Sequence, residues 1–116
     1  MKDVIQKVQS IWDKIWEKIQ GLLEKAGVKT MSDADLMAIL EAEAVGKNLN
    51  WKSSVVDFLK LLDIDSSAEN RAALAKELNV SNEFMPGTAQ GNEALRVAVW
   101  RRIAENGGKV PSDLTD

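Results

Sequence analysis

Asp3-Val4-Ile5-Gln6-Lys7-Val8-Gln9-Ser10-Ile11-Trp12-Asp13-Lys14-Ile15-Trp16-Glu17-Lys18-Ile19-Gln20-Gly21-Leu22-Leu23-Glu24-Lys25-Ala26 is the stretch whose reading decides the fold. Within it Ile5, Val8, Trp12, Ile15, Ile19, Leu22 and Ala26 step by three and four without interruption. That spacing stacks side chains on one face of an α-helix. Val4, Ile11, Trp16 and Leu23 widen the stripe on both sides, and Lys, Glu and Gln dominate the opposite face. The pattern predicts one amphipathic helix over residues 3–26, closed by Gly27 in the usual place for a helix C-terminus.

A free helix of this kind would expose more apolar surface than a soluble monomer ordinarily tolerates. Three fates are open to it. It can pack on the rest of the chain, pair with a copy of itself through its heptads, or lie on a membrane with Trp12 and Trp16 at the interface. Five Lys against four acids between Met1 and Ala26 exert only a weak pull toward anionic lipid.

Helical periodicity continues downstream, and no stretch alternates as a half-buried strand does. A second helix is expected from the N-cap Ser32, with Asp35 three residues on, through Leu36, Ile39, Leu40 and Ala44 to Gly46. A third is expected to be capped by Asn50 and to bury Trp51, Val55, Phe58, Leu59 and Leu62. Ser66-Ser67-Ala68-Glu69 opens a fourth, running to about Leu78, with Asn79 where a left-handed residue is wanted. Ser81 to Gly91 reads as the longest loop. The fifth helix, about Asn92 to Glu105, carries Leu95, Val99 and Ile103 flanked by Val97 and Trp100, and Asn106-Gly107-Gly108 and Pro111 stop it.

The 116 residues suit a single domain, and 45% hydrophobic with 28% charged residues is an ordinary globular composition. Charge is uneven: +2 over residues 1–30, −5 over 31–90 and 0 over 91–116, which sums to the net −3. With no Cys and no His, disulfides, thiolate nucleophiles, the commonest general base and the commonest metal ligand are all missing. The longest apolar run, Leu36 to Leu40, is far short of the ~20 residues a membrane span needs. Lys2, Asp3 and Lys7 interrupt any signal-peptide apolar region, so a cytoplasmic chain is expected.

Several blocks look familiar. Leu49-Asn50-Trp51-Lys52-Ser53-Ser54-Val55-Val56-Asp57-Phe58-Leu59-Lys60-Leu61-Leu62 runs into Asp63-Ile64-Asp65-Ser66-Ser67. Ala75-Lys76-Glu77-Leu78 and Ala104-Glu105-Asn106-Gly107-Gly108-Lys109-Val110-Pro111 follow. Together they resemble the bacterial domain-of-unknown-function family 3597 over roughly residues 33–116. The resemblance implies a small five-helix domain with a long flexible loop between its first two helices, and it implies no activity, substrate or catalytic residue. Here the corresponding spacer is only about Gly27 to Met31.

Motifs that hint at chemistry fail on their spacing. Asp63-Ile64-Asp65 begins like a calcium loop, but the sixth position is Ala68 instead of Gly and the twelfth is Leu74 instead of Glu. Asp65 reads better as part of the fourth helix's cap. Gly107-Gly108-Lys109 lacks the upstream Gly of a phosphate loop, since Ile103 stands there. Asp33 with Asp35, and Glu41 with Glu43, sit two apart and face different ways on a helix. Arg96, Arg101 and Arg102 point in separate directions around theirs, so no coherent basic face for nucleic acid results. Trp51 and Trp100 read as core anchors.

The expectation is an all-α, small five-helix domain, in which residues 1–28 form the amphipathic N-terminal helix and residues 29–116 a compact four-helix body. No catalytic, cofactor-binding or metal residues are assigned. The function expected is a non-enzymatic protein interaction or scaffold module, docking another protein or a second copy through Ile5, Val8, Trp12, Ile15, Trp16 and Ile19. The alternative is a peripheral membrane binder using the same helix.

Overall fold

The computed structural model describes residues 10–80 and 88–115 of the chain. Among these residues the secondary structure is wholly helical. Helix α1 spans Ile11–Lys25, α2 Leu36–Ala44, α3 Val55–Leu61, α4 Ala68–Glu77 and α5 Ala89–Glu105. Single 3-10 turns lie at Met31–Asp33 and Ser112–Leu114.

Each helix starts by one device. The side-chain oxygens of Ser10, Asp35, Ser54, Ser67 and Thr88 accept the backbone N–H three residues on, satisfying a donor that the helix start leaves without a partner. Four starts differ from the sequence expectation for this reason. Helix α1 begins at Ile11 because Ser10 is extended (φ −67°, ψ 158°), and the expected helical residues 3–9 lie outside the described residues. Asp35 replaces Ser32 as the cap of α2, since Met31–Asp33 are spent on a 3-10 turn. Asn50 does not cap α3. Its carbonyl accepts the Ser53 and Ser54 amides, so Trp51 sits in a turn ahead of the helix. In α5, Thr88 moves the start ahead of Gly91, which is buried inside the helix.

Helix ends also share a geometry. After α1, Gly27 (φ 79°) lets the Val28 amide reach back to the Leu23 carbonyl at 2.9 Å and its own amide reach Glu24 at 3.0 Å. The same pair of bonds closes α3 at Asp63 (φ 60°), α4 at Asn79 (φ 58°) and α5 at Gly107 (φ 95°). Asn79 occupies the left-handed position expected of it.

Helix α1 packs on α4 and α2, while α5 packs on α3 and α4. Its buried row is Ile11, Ile15, Ile19 and Leu23, with Ile15 and Ile19 fully enclosed; Leu22 is half-buried and Ala26 exposed. A row spaced by four drifts around the helix, so α1 lays a ridge obliquely into its neighbours rather than a straight heptad seam. At the centre Trp100 meets Phe58 at 4.9 Å and Trp51 at 6.1 Å between ring centroids, both pairs tilted at 53°. Such tilted pairs are favourable beyond the area they bury. Both indoles are core anchors, as their sequence positions suggest.

Candidate interaction surface

The six side chains expected to form a docking face divide in space. Ile15 and Ile19 lie inside the chain's own core, with no exposed surface. Trp12 and Trp16 are half-buried at the edge of α1. Ile5 and Val8 lie outside the described residues.

Trp12 and Trp16 are one helical turn apart, so their side chains project from the same edge. Their rings stack with centroids 5.8 Å apart and planes inclined by 27°. The Arg102 guanidinium of α5 lies over the Trp12 ring, 5.7 Å from its centroid, where the negative face of the π-system attracts it. Arg102 also approaches Glu105 at 3.8 Å. The result is a small aromatic platform with a cation at one end.

Glu77, the last residue of α4, fixes the start of α1. Its two carboxylate oxygens accept the backbone N–H groups of Ile11 and Trp12 at 3.0 and 2.9 Å. This clamp spans more than sixty residues of chain and left no signature in the sequence around Glu77. The local half of the start, Ser10 with Asp13 three residues on, was legible as a capping pattern but lay inside an unbroken apolar stripe.

Two grooves adjoin this region. One, of about 810 Å³, is lined by Leu78, Val80, Ala94 and Val97, with Arg101 and Arg102 also at its wall. The other, of about 500 Å³, lies where Leu22 of α1 meets Lys47 and Leu62. Several charged groups in and beside these grooves form ion pairs. Glu93 pairs with Arg96, Glu105 with Arg102, and Glu43 with Lys47 at 3.0 Å and Lys25 at 3.6 Å. The Lys47 ammonium hydrogen-bonded to Glu43 holds that carboxyl below the usual carboxylate range.

The three Arg of α5 also have structural employment. Arg96 is buried: its Nε donates to Glu93 at 3.0 Å, and its Nη1 reaches the carbonyls of Lys52 and Leu114 at 3.5 Å. Hydrogen bonding to Glu93 raises the Arg96 pKa and lowers that of Glu93. Arg101 donates to the Thr115 carbonyl at 2.7 Å. Asp65, the failed calcium ligand, accepts from the Ser67 amide at 2.9 Å and hydroxyl at 3.1 Å, and so braces the cap of α4. Among the described residues no three acidic side chains gather as metal ligands would. No described helix is long and apolar enough to cross a membrane.

These features define a small all-helical domain with an aromatic edge along α1. The chain belongs to the family described as a domain of unknown function, DUF3597, which it matches over residues 20–111. The match begins inside α1. No curated protein and no solved structure matches the chain.

Proposed function

We propose that this protein is a non-enzymatic interaction module that contacts a second copy or another protein through the N-terminal segment and the outer edge of α1. The observation that carries the reading is the stacked Trp12–Trp16 pair, left half-buried at the edge of a helix whose Ile11, Ile15, Ile19 and Leu23 are enclosed. Tryptophan is the residue type most enriched among those that dominate binding energy at protein interfaces. In this arrangement Ile15 and Ile19 hold α1 in the body, while Trp12 and Trp16, with Ile5 and Val8 earlier in the same stripe, meet the partner. A cytoplasmic setting suits a chain with no Cys to protect or oxidise.

The test is sedimentation equilibrium of the full chain and of the double variant Trp12→Glu, Trp16→Glu, with circular dichroism on both. The reading expects concentration-dependent association of the native chain, a variant that sediments at the 12.8 kDa monomer mass, and unchanged helicity. A native chain that is monomeric throughout, with the same mass as the variant, refutes self-association. An indole blue shift on anionic vesicles, without a change of mass in their absence, would favour the membrane alternative instead.

A further inference from the structure

Trp12 stands in the first turn of α1, where a helix frays most readily because its amides have no partner within the helix. Trp16 stands one turn further on, where the helix's own ladder fixes the backbone. The stack between the two rings is therefore only as well set as that first turn. Ser10 secures one amide there, that of Asp13, at 3.0 Å. The amides of Ile11 and Trp12 reach out of the helix instead, to Oε2 and Oε1 of Glu77 at 3.0 and 2.9 Å.

Two acceptors on one rigid carboxylate, meeting two successive amides, fix orientation as well as distance. Glu77 gains nothing from its own helix, because a carboxylate at the C-terminal end meets the negative pole of the α4 dipole. At the N-terminus of α1 the same charge faces a positive pole. Trp12 is thus held from three helices: from α4 through its backbone, from α5 by the Arg102 guanidinium, and from α1 itself by the Trp16 ring. The ring contacts lie at a half-exposed edge, where a cation over a ring is weak, whereas hydrogen bonds to a carboxylate are the strong kind. Among these restraints the clamp dominates.

We infer that Glu77 is the positioning residue of the aromatic platform: by holding the Ile11 and Trp12 amides from α4, it presets the Trp12–Trp16 stack that a second copy of the chain meets. Side chains already ordered lose less rotamer freedom on binding, so the clamp tightens association without touching the partner. The contact with a second copy rests on the proposed function; the alignment of the two rings by Glu77 does not.

Glu77→Gln keeps the size of the side chain and removes one acceptor, since the amide turns an N–H₂ group toward a backbone donor. Glu77→Asp keeps the charge but draws the carboxylate back by one methylene, so that it no longer spans both amides. Two close indoles split their ultraviolet transitions into a circular-dichroism couplet whose size depends on the angle and distance between the rings. Trp51 and Trp100 contribute a couplet of their own, so the Trp12–Trp16 part is read as the difference made by Trp16→Phe in each background. The expected result is that this part is largely lost in both Glu77 variants while the Trp51–Trp100 part, which marks a folded core, persists. Self-association measured by sedimentation should weaken roughly tenfold with it. Glu77→Asp carries the test if Glu77→Gln loses the core signal. A Trp12–Trp16 couplet of native size in either folded variant overturns the positioning role, whatever happens to stability. A lost couplet with unaltered sedimentation supports the positioning role and refutes the contact with a second copy.

Discussion

Two glycines, both replaced by alanine, should move stability in opposite directions. Gly21 lies on the exposed side of α1, and a Cβ there would meet nothing within 4 Å. Alanine is the better helix former by about 1 kcal/mol, so Gly21→Ala should stabilise by that amount and raise Tm by roughly 4 °C. Gly108 is different. A Cβ there would stand 2.6 Å from Cγ2 of Ile103, 3.0 Å from the Ile103 carbonyl oxygen and 3.3 Å from Cδ2 of Leu36. Carbon atoms settle about 3.5–4.0 Å apart, so the Ile103 methyl would have to retreat by about 1 Å. It has nowhere to go, since Ile103 is fully buried. The Ile103 carbonyl also accepts the Gly108 amide at 3.0 Å, so moving the loop stretches the bond that closes α5. Overpacking of this kind costs about 1–3 kcal/mol, and a stiffer unfolded chain returns roughly 0.4–1 kcal/mol. The net expectation is a loss of about 1–2 kcal/mol, or a Tm lower by roughly 4–8 °C. Urea titration followed by tryptophan fluorescence reads both variants, with an unchanged slope confirming that only stability has moved. If Gly108→Ala equals or exceeds the native chain, the close approach of the α5 exit to α2 is wrong.

Ile15→Ala should cost about 3 kcal/mol as a core truncation, whereas Lys14→Ala on the exposed neighbour should stay within about 0.5 kcal/mol; equal urea midpoints would place α1 outside the core. Asn79→Ala should lose about 1 kcal/mol, because the position is left-handed (φ 58°), and Asn79→Gly should be near neutral by the same thermal scan. The Glu93–Arg96 contact gives a pH signature. Since the Glu93 pKa is lower in the folded chain, its contribution is present above the unfolded carboxylate value and is lost as pH falls through the folded one. Urea midpoints measured from neutral pH to about pH 3 should therefore fall less steeply for Glu93→Gln than for the native chain, by a small amount because Glu93 is largely exposed.

The caps of α1, α3 and α4 were all written locally: Ser10, Ser54 and Ser67 each precede a partner three residues on. At the first two, apolar periodicity runs straight through the cap, at Ser10 within a faultless stripe and at Ser54 behind Trp51, and so masks it. Asn79 and Gly107 announced their turns, whereas Asp63 adopts the same left-handed geometry without the usual residue type. Of the side chains expected at a docking face, Trp12 and Trp16 are half-buried at the edge of α1, whereas Ile15 and Ile19 are the keel of α1, because the body is oblique to the heptad and covers the i, i+4 row.

Helical class, the number of helices, the left-handed exits at Gly27, Asn79 and Gly107 and the division into apolar and charged faces were determined by the amino-acid order alone. These depend on interactions across three to five residues, which periodicity and capping residues encode directly. Which side of the α1 stripe stays outside and what clamps the start of α1 were decided only by tertiary structure. Each turns on atoms far apart in sequence competing for one partner, as when the Glu77 carboxylate takes two amides that a longer helix would have used itself.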